Sequence, residues 1–196
     1  MDKKTSLTKA DIMAMADYAK IRKDKRSAIS EHKRARRVEV GPFATFYFES
    51  FETMWMQVHE MLYIEKGGEE QIAGELAAYN PLIPNGQELV ATFMIEIDEP
   101  IRRARVLAGL GGIEETAFFS FSGERIAGVA EADQDRTSEE GKASSVQFVH
   151  FPFTPAQIAA FSKPDTQVIL GFSHPAYSHM AVLPEAVRAA LAADFA

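Results

Sequence analysis

The chain contains no cysteine among its 196 residues, which excludes disulfide frameworks, thiolate zinc sites, Cys-ligated iron–sulfur clusters and cysteine nucleophiles. Any chemistry must therefore use oxygen and nitrogen groups. No apolar run approaches the roughly 20 residues needed to cross a bilayer. Met1 to Leu7 is charged and polar where a signal peptide requires an apolar stretch, so the expected location is the cytoplasm. Internal repeats and low-complexity tracts are also missing. What is present, 46% apolar and 25% charged residues, is the balance of a soluble globular protein with a buried core, and it excludes collagen, coiled coil and disorder. The length suits one domain, with a flexible tail over 1–6, a basic helical pair over 8–37 and an α+β body over 38–196.

Charge is concentrated in one segment. The net −7 of the whole chain divides into zero for residues 1–19, +7 for 20–37 and −14 for 38–196. A cationic segment on an acidic body is suited to docking, onto its own body, a second copy or an acidic partner.

The pattern predicts a first helix from the Thr8/Asp11 capping pair to Tyr18 and a second over 20–37, with a thin apolar edge of Ile21, Ala28 and Ala35. A strand is expected over 43–49. The helical period then returns over 51–66, with Phe51, Met54, Trp55, Val58, Met61 and Leu62 on one face and Met56, Tyr63 and Ile64 on the other. A shorter helix over 69–78, a strand over 89–97 and a helix from Pro100 to about Leu110 follow. Strands are expected over 117–121 and 125–130, joined by a type II′ loop at Gly123-Glu124. A polar loop over 131–143, a strand over 146–153, a short helix to Phe161, a strand over 168–172 and a final helix from Pro184 complete the chain. Adjacent strand runs and a tight hairpin predict an α+β fold, with a mostly antiparallel mixed sheet of about six strands packed with helices.

Three residue sets carry candidate chemistry, and three further motifs are set aside. Arg22, Arg26, Lys33 and Arg37 fall in one quadrant of a helix, with Arg36 at its edge, forming a stripe for docking or for an anion such as phosphate or carboxylate. Nucleic acid is disfavoured, because the remaining chain is acidic and no aromatic residue interleaves the stripe. Glu60 and Glu65 sit among apolar neighbours on the 51–66 helix and need a partner, which the stripe supplies. His174 and His179 follow a strand. With His32 and a carboxylate they offer a nonhaem iron, manganese or zinc site. His59-Glu60 begins a zinc-protease motif, but Tyr63 stands where the second His belongs, which excludes it. Leu107 to Gly112 follows a helix and reads as a helix stop, not a dinucleotide loop. Asp133-Gln-Asp135 lacks the Gly and Glu of a calcium loop.

The chain also resembles the bacterial family catalogued as domain of unknown function 3501. The resemblance rests on Leu7-Thr8 with Asp11, Tyr18 to Arg22 with Arg26, His32 to Arg37 followed by Gly41-Pro42, and Phe48-Glu49. It continues through Gln57, Glu60-Met61-Leu62 and Glu65, then Glu75-Leu76 with Tyr79 to Pro84, and ends on His174 to Tyr177. Two positions depart from the family pattern, which has His where this chain has Gln147 and Gln where it has His59. The resemblance implies a cytoplasmic protein without an established activity. It also implies genes nearby for a rubrerythrin-like diiron protein and an iron–sulfur subunit, a setting of peroxide or redox handling. It marks the stripe, His32, Glu60, Glu65 and Tyr177 as a candidate polar cluster. The readings that follow are a non-catalytic accessory protein of a redox or iron-dependent system, a small metalloenzyme, or a binder of small anions or nucleic acid. A homodimer is compatible with each.

Overall fold

The computed structural model describes residues 3–131, 137 and 141–195, so Asp133 and Asp135 lie outside the described residues. The fold is α+β. Strands β1 (Arg37–Val40), β2 (Ala44–Phe48), β3 (Glu88–Ile95), β6 (Val129–Ala130) and β7 (Val146–Pro152) form one sheet in the order β1-β2-β3-β7-β6. Strands β4 (Ala117–Phe121), β5 (Glu124–Ala127), β8 (Ile169–His174) and β9 (Tyr177–Val182) form a second, β5-β4-β8-β9. Every pairing is antiparallel. The expected single sheet is thus two sheets that enclose one aromatic core, where Phe46 meets Phe172 at 5.0 Å and Phe119 meets Phe151 at 4.7 Å between ring centroids.

Gly128 divides the run expected as one strand over 125–130. It leaves β5 in the second sheet and enters β6 in the first, and a Cβ there would stand 2.5 Å from a Val149 methyl. Only glycine fits so close a crossing. The hairpin before it also differs from expectation. Phe121 pairs with Glu124, so the loop is Ser122-Gly123, both at positive φ (50° and 80°), which is type I′.

Helices α1 (Met15–Arg34), α2 (Phe51–Glu65) and α3 (Gly68–Tyr79) lie together, with α4 (Pro100–Ala108), α5 (Pro155–Phe161) and α6 (Glu185–Ala192) spaced along the rest of the chain. Ser50 caps α2 reciprocally: Thr53 N–H donates to Ser50 Oγ at 3.3 Å, and Ser50 N–H donates to Thr53 Oγ1 at 2.8 Å. Met54, Val58 and Leu62 of α2 then pack with Val90 of β3 and Phe148 of β7, a smaller core on the outer face of the first sheet. α1 lies outside α2 and buries only Tyr18.

The expected basic helical pair is a single 20-residue helix, preceded by one 3-10 turn over Lys9–Asp11. The break falls at 12–14 because α2 captures the backbone there. Trp55 Nε1–H donates to the Asp11 carbonyl at 3.0 Å, and Met13 N–H donates to His59 Nε2 at 3.1 Å. The helix also ends earlier than expected, at Arg34, so Arg37 stands on β1 instead of on a helical stripe. Among the described residues no helix is long and apolar enough to cross a membrane.

Candidate functional site

α1 runs antiparallel to α2, as its two ends show. At the N-terminal end, Arg22 grips Glu60 with both arms, Nε to Oε1 at 2.8 Å and Nη2 to Oε2 at 2.7 Å, while Tyr18 donates its hydroxyl to Glu60 Oε1 at 2.6 Å. The Arg22 fork holds the Glu60 carboxyl below the usual carboxylate range, against the opposing effect of burial. Burial pushes the Tyr18 phenol up, and the bond to Glu60 adds to it. At the C-terminal end, His32 Nε2 lies 3.0 Å from Ser50 Oγ and 3.9 Å from Glu52 Oε2. Burial and then the Arg36 charge lower the pKa of His32, so it is neutral near pH 7.

Between these ends lies a groove of about 580 Å³, walled by Ala28 and Ile29 of α1 and by Phe51, Trp55 and Met56 of α2. Lys25, His32 and Glu52 supply its polar edge, with Lys25 Nζ 5.2 Å from the Trp55 ring centroid. Trp55 is held from behind by the His59 ring at 3.8 Å. His59 is fully buried, bonded through Nδ1 to the Trp55 carbonyl at 2.7 Å, and burial pulls its pKa down. It fixes the wall and the N-terminal turn.

The sequence-derived residues separate into distinct places. Arg36 is not part of an exposed stripe but is buried, its Nε donating to the Phe48 carbonyl at 3.0 Å and its Nη2 to the Glu49 carbonyl at 2.8 Å and to Asp194. Arg37 faces outward on β1 and pairs with Glu39 at 2.9 Å. Arg26 and Lys33 are exposed and, like Lys23, form no salt bridge within the described residues. Glu65 does not join a buried cluster. It occupies the last residue of α2, beyond the core, and accepts from Gln71 at 2.7 Å in the open. Tyr177 is buried elsewhere, in β9, where its hydroxyl accepts from Phe43 and Ala44 N–H at 2.8 and 2.9 Å and donates to the Val40 carbonyl at 2.9 Å.

Nor do the three candidate metal ligands converge. His32 faces Ser50. His174 ends β8, with Nε2 on the Gly111 carbonyl at 3.2 Å and Nδ1 accepting from Ala176 N–H at 3.2 Å. His179, expected just after a strand, lies on a further strand, β9, with its ring packed where a Cβ on Gly41 would be. Among the described residues no three or more His, Asp or Glu side chains are arranged to hold a metal ion. The Ser50 hydroxyl beside His32 is buried and used as the cap of α2, so the pair is structural.

Two polar groupings lie outside the candidate residues named from the sequence. Glu49 accepts from Thr53 at 2.6 Å and Thr92 at 2.7 Å. His150 on β7 sits between Glu88 at 3.0 Å and Glu131 at 2.9 Å. The Glu88 bond, followed by that of Glu131, raises the His150 pKa against the opposing effect of burial. Both ring nitrogens are engaged by separate carboxylates.

The family model described as "Protein of unknown function (DUF3501)" matches residues 6–195. A crystal structure of a novel protein of unknown function from Burkholderia pseudomallei K96243 is similar at 34% identity and a TM-score of 0.90, covering 97% of this chain and 100% of that one. No curated protein matches. A family model spanning nearly the whole chain, with a solved relative superposing over the same length, establishes that this chain belongs to the DUF3501 family.

Proposed function

We propose that the protein is a non-catalytic accessory protein that docks an acidic partner through α1. The observation that carries this reading is the state of that helix. It is a 20-residue element with one buried residue, and it presents Lys23, Arg26 and Lys33 without internal salt bridges among the described residues. Charges without a salt bridge on a rigid element favour encounter with the opposite charge and set its orientation. Arg22 does not belong to this surface, since Glu60 already occupies it and anchors the helix. The partner suggested by the family resemblance is a rubrerythrin-like or iron–sulfur protein of a redox or iron-dependent system.

The test is calorimetric titration of each such neighbouring protein into this one at low and high salt. Binding should weaken with salt and vanish in the double variant Arg26→Glu, Lys33→Glu, whose melting temperature should match the wild type. Absence of binding at low salt, or binding indifferent to the double reversal, rejects the reading.

A further inference from the structure

We infer that the groove between α1 and α2 is the anchor pocket of this docking surface, and that it takes an aromatic side chain from an acidic segment of the partner. This inference rests on the docking reading. The groove, about 580 Å³, falls in the size range of sites that enclose a compact organic group, about 300 to 1,000 Å³. Its walls are apolar and preorganised. The Trp55 indole is fixed by its bond to the Asp11 carbonyl at 3.0 Å and by the His59 ring at 3.8 Å, so little side-chain freedom is lost when a ring packs against it.

Charge around the groove chooses the segment that carries the ring. At about 100° per residue, the α1 row that faces the groove is Lys25, Ile29 and His32. Arg26 and Lys33 project to one side of that row, about 20° apart. Asp24 and Glu31 project to the other. Glu31 is paired with Arg34 at 2.8 Å, which leaves Asp24 as the unpaired acid of that flank, so an acidic chain is drawn along the first flank, and this sets where its apolar residue enters. Inside the groove, Lys25 and Glu52 lie at opposite ends, beside Trp55 and His32 respectively. These opposite charges do not converge on one point as groups gripping a small ion would. Lys25 within the groove and Arg26 and Lys33 along its rim form no salt bridge among the described residues, and positive charge spread along a helix in this way matches an extended acidic chain better than one small anion.

Trp55 is the only tryptophan in the chain, so its fluorescence reports on the groove directly. The probes are two labelled Glu- and Asp-rich peptides, identical except for a central Phe or Ala, followed by anisotropy and by Trp55 emission. The Phe peptide should bind at least about tenfold tighter, the scale expected for burying an aromatic side chain, and it alone should change the Trp55 emission. Ala28→Phe, which fills the groove, should erase the preference and leave the weaker salt-sensitive binding. Equal binding of both peptides to the wild type overturns the anchor pocket but leaves the docking reading standing. Binding of neither peptide above a neutral control overturns both. Benzoate shifting Trp55 emission while the two peptides bind alike assigns the groove to a small aromatic ligand instead and overturns the proposal.

Discussion

Replacing Arg36 tests whether the basic segment is one surface or two different things. Its side chain is 4% exposed and that of its partner Asp194 is 6% exposed, and the same guanidinium serves the carbonyls of Phe48 and Glu49. Arg36→Ala leaves the buried Asp194 carboxylate with Lys3 alone, at 3.2 Å, on a side chain 40% exposed. Breaking one side of a buried ion pair costs about 3 to 5 kcal/mol, and the surviving Lys3 contact places the expected loss near the lower figure. For a chain of this length each kcal/mol lowers the melting temperature by about 2 to 4 °C, so the expected drop is about 6 to 12 °C. Arg36→Lys keeps the charge but not the planar fork that reaches three acceptors, and should fall between the alanine variant and wild type. Arg26→Ala and Lys33→Ala, both exposed, should stay within about 0.5 kcal/mol of wild type. Urea denaturation followed by circular dichroism reads all four, with the slope as a check on two-state behaviour. A wild-type midpoint for Arg36→Ala, or losses of the same size at Arg26 or Lys33, would refute the division of the segment into a buried strut and a surface.

Glu60→Ala should destabilise more than Glu60→Gln, because the amide keeps the shape and still accepts from Tyr18. Both should cost less than Arg36→Ala in the same denaturation, since the Arg22 and Glu60 side chains remain 26% and 19% exposed. At His150 the folded-state pKa lies above the ordinary 6.5, so its stabilising contribution is full below that value and is lost as pH rises through the raised one. The stability gap between wild type and His150→Gln should therefore shrink from about pH 6 to about pH 9, and a gap that stays constant with pH in thermal melts would count against the clamp. Tyr177→Phe removes all three bonds between β9 and the β1–β2 hairpin and should cost roughly 2 to 4 kcal/mol, given about 1 to 3 kcal/mol for a buried group left unpaired; a loss under about 0.5 kcal/mol would mean water replaces the hydroxyl.

Elements fixed by local chemistry were readable in the sequence, and elements fixed by distant partners were not. The start of α2 follows from the Ser50 cap and α5 follows from Thr154-Pro155, whereas α2 ends on Lys66 in the left-handed conformation, which no glycine there marks. The break before α1 could not be read, since the groups that end the 3-10 turn, Trp55 and His59, lie 44 and 46 residues away. β1 was hidden by composition: Arg37 and Glu39 look helical beside the preceding lysines and arginines, although the alternation with Val38 and Val40 is a strand pattern. β9 was hidden likewise, because most of its side chains are exposed and no apolar alternation marks it.

The candidate site divides along the same line. An Arg–Glu pair was legible because a carboxylate on an apolar helix requires a cation, and the Arg22–Glu60 fork meets that need. The fate of Arg36 was not legible, since the period changes under it. Once the helix ends at Arg34, the two-residue alternation governs, and Arg36 falls in phase with the buried Val38 and Val40 while Arg37 falls out of phase with them. An inward-facing guanidinium needs an acid within reach, and the one that meets it is 158 positions along the chain. No helical wheel contains that residue. Removing Arg22, Arg36 and Arg37 from the stripe leaves Arg26 and Lys33 beside the groove, and the Arg26→Glu, Lys33→Glu reversal therefore addresses the docking surface without removing a salt-bridged side chain, although the Arg26 charge also acts on Glu60.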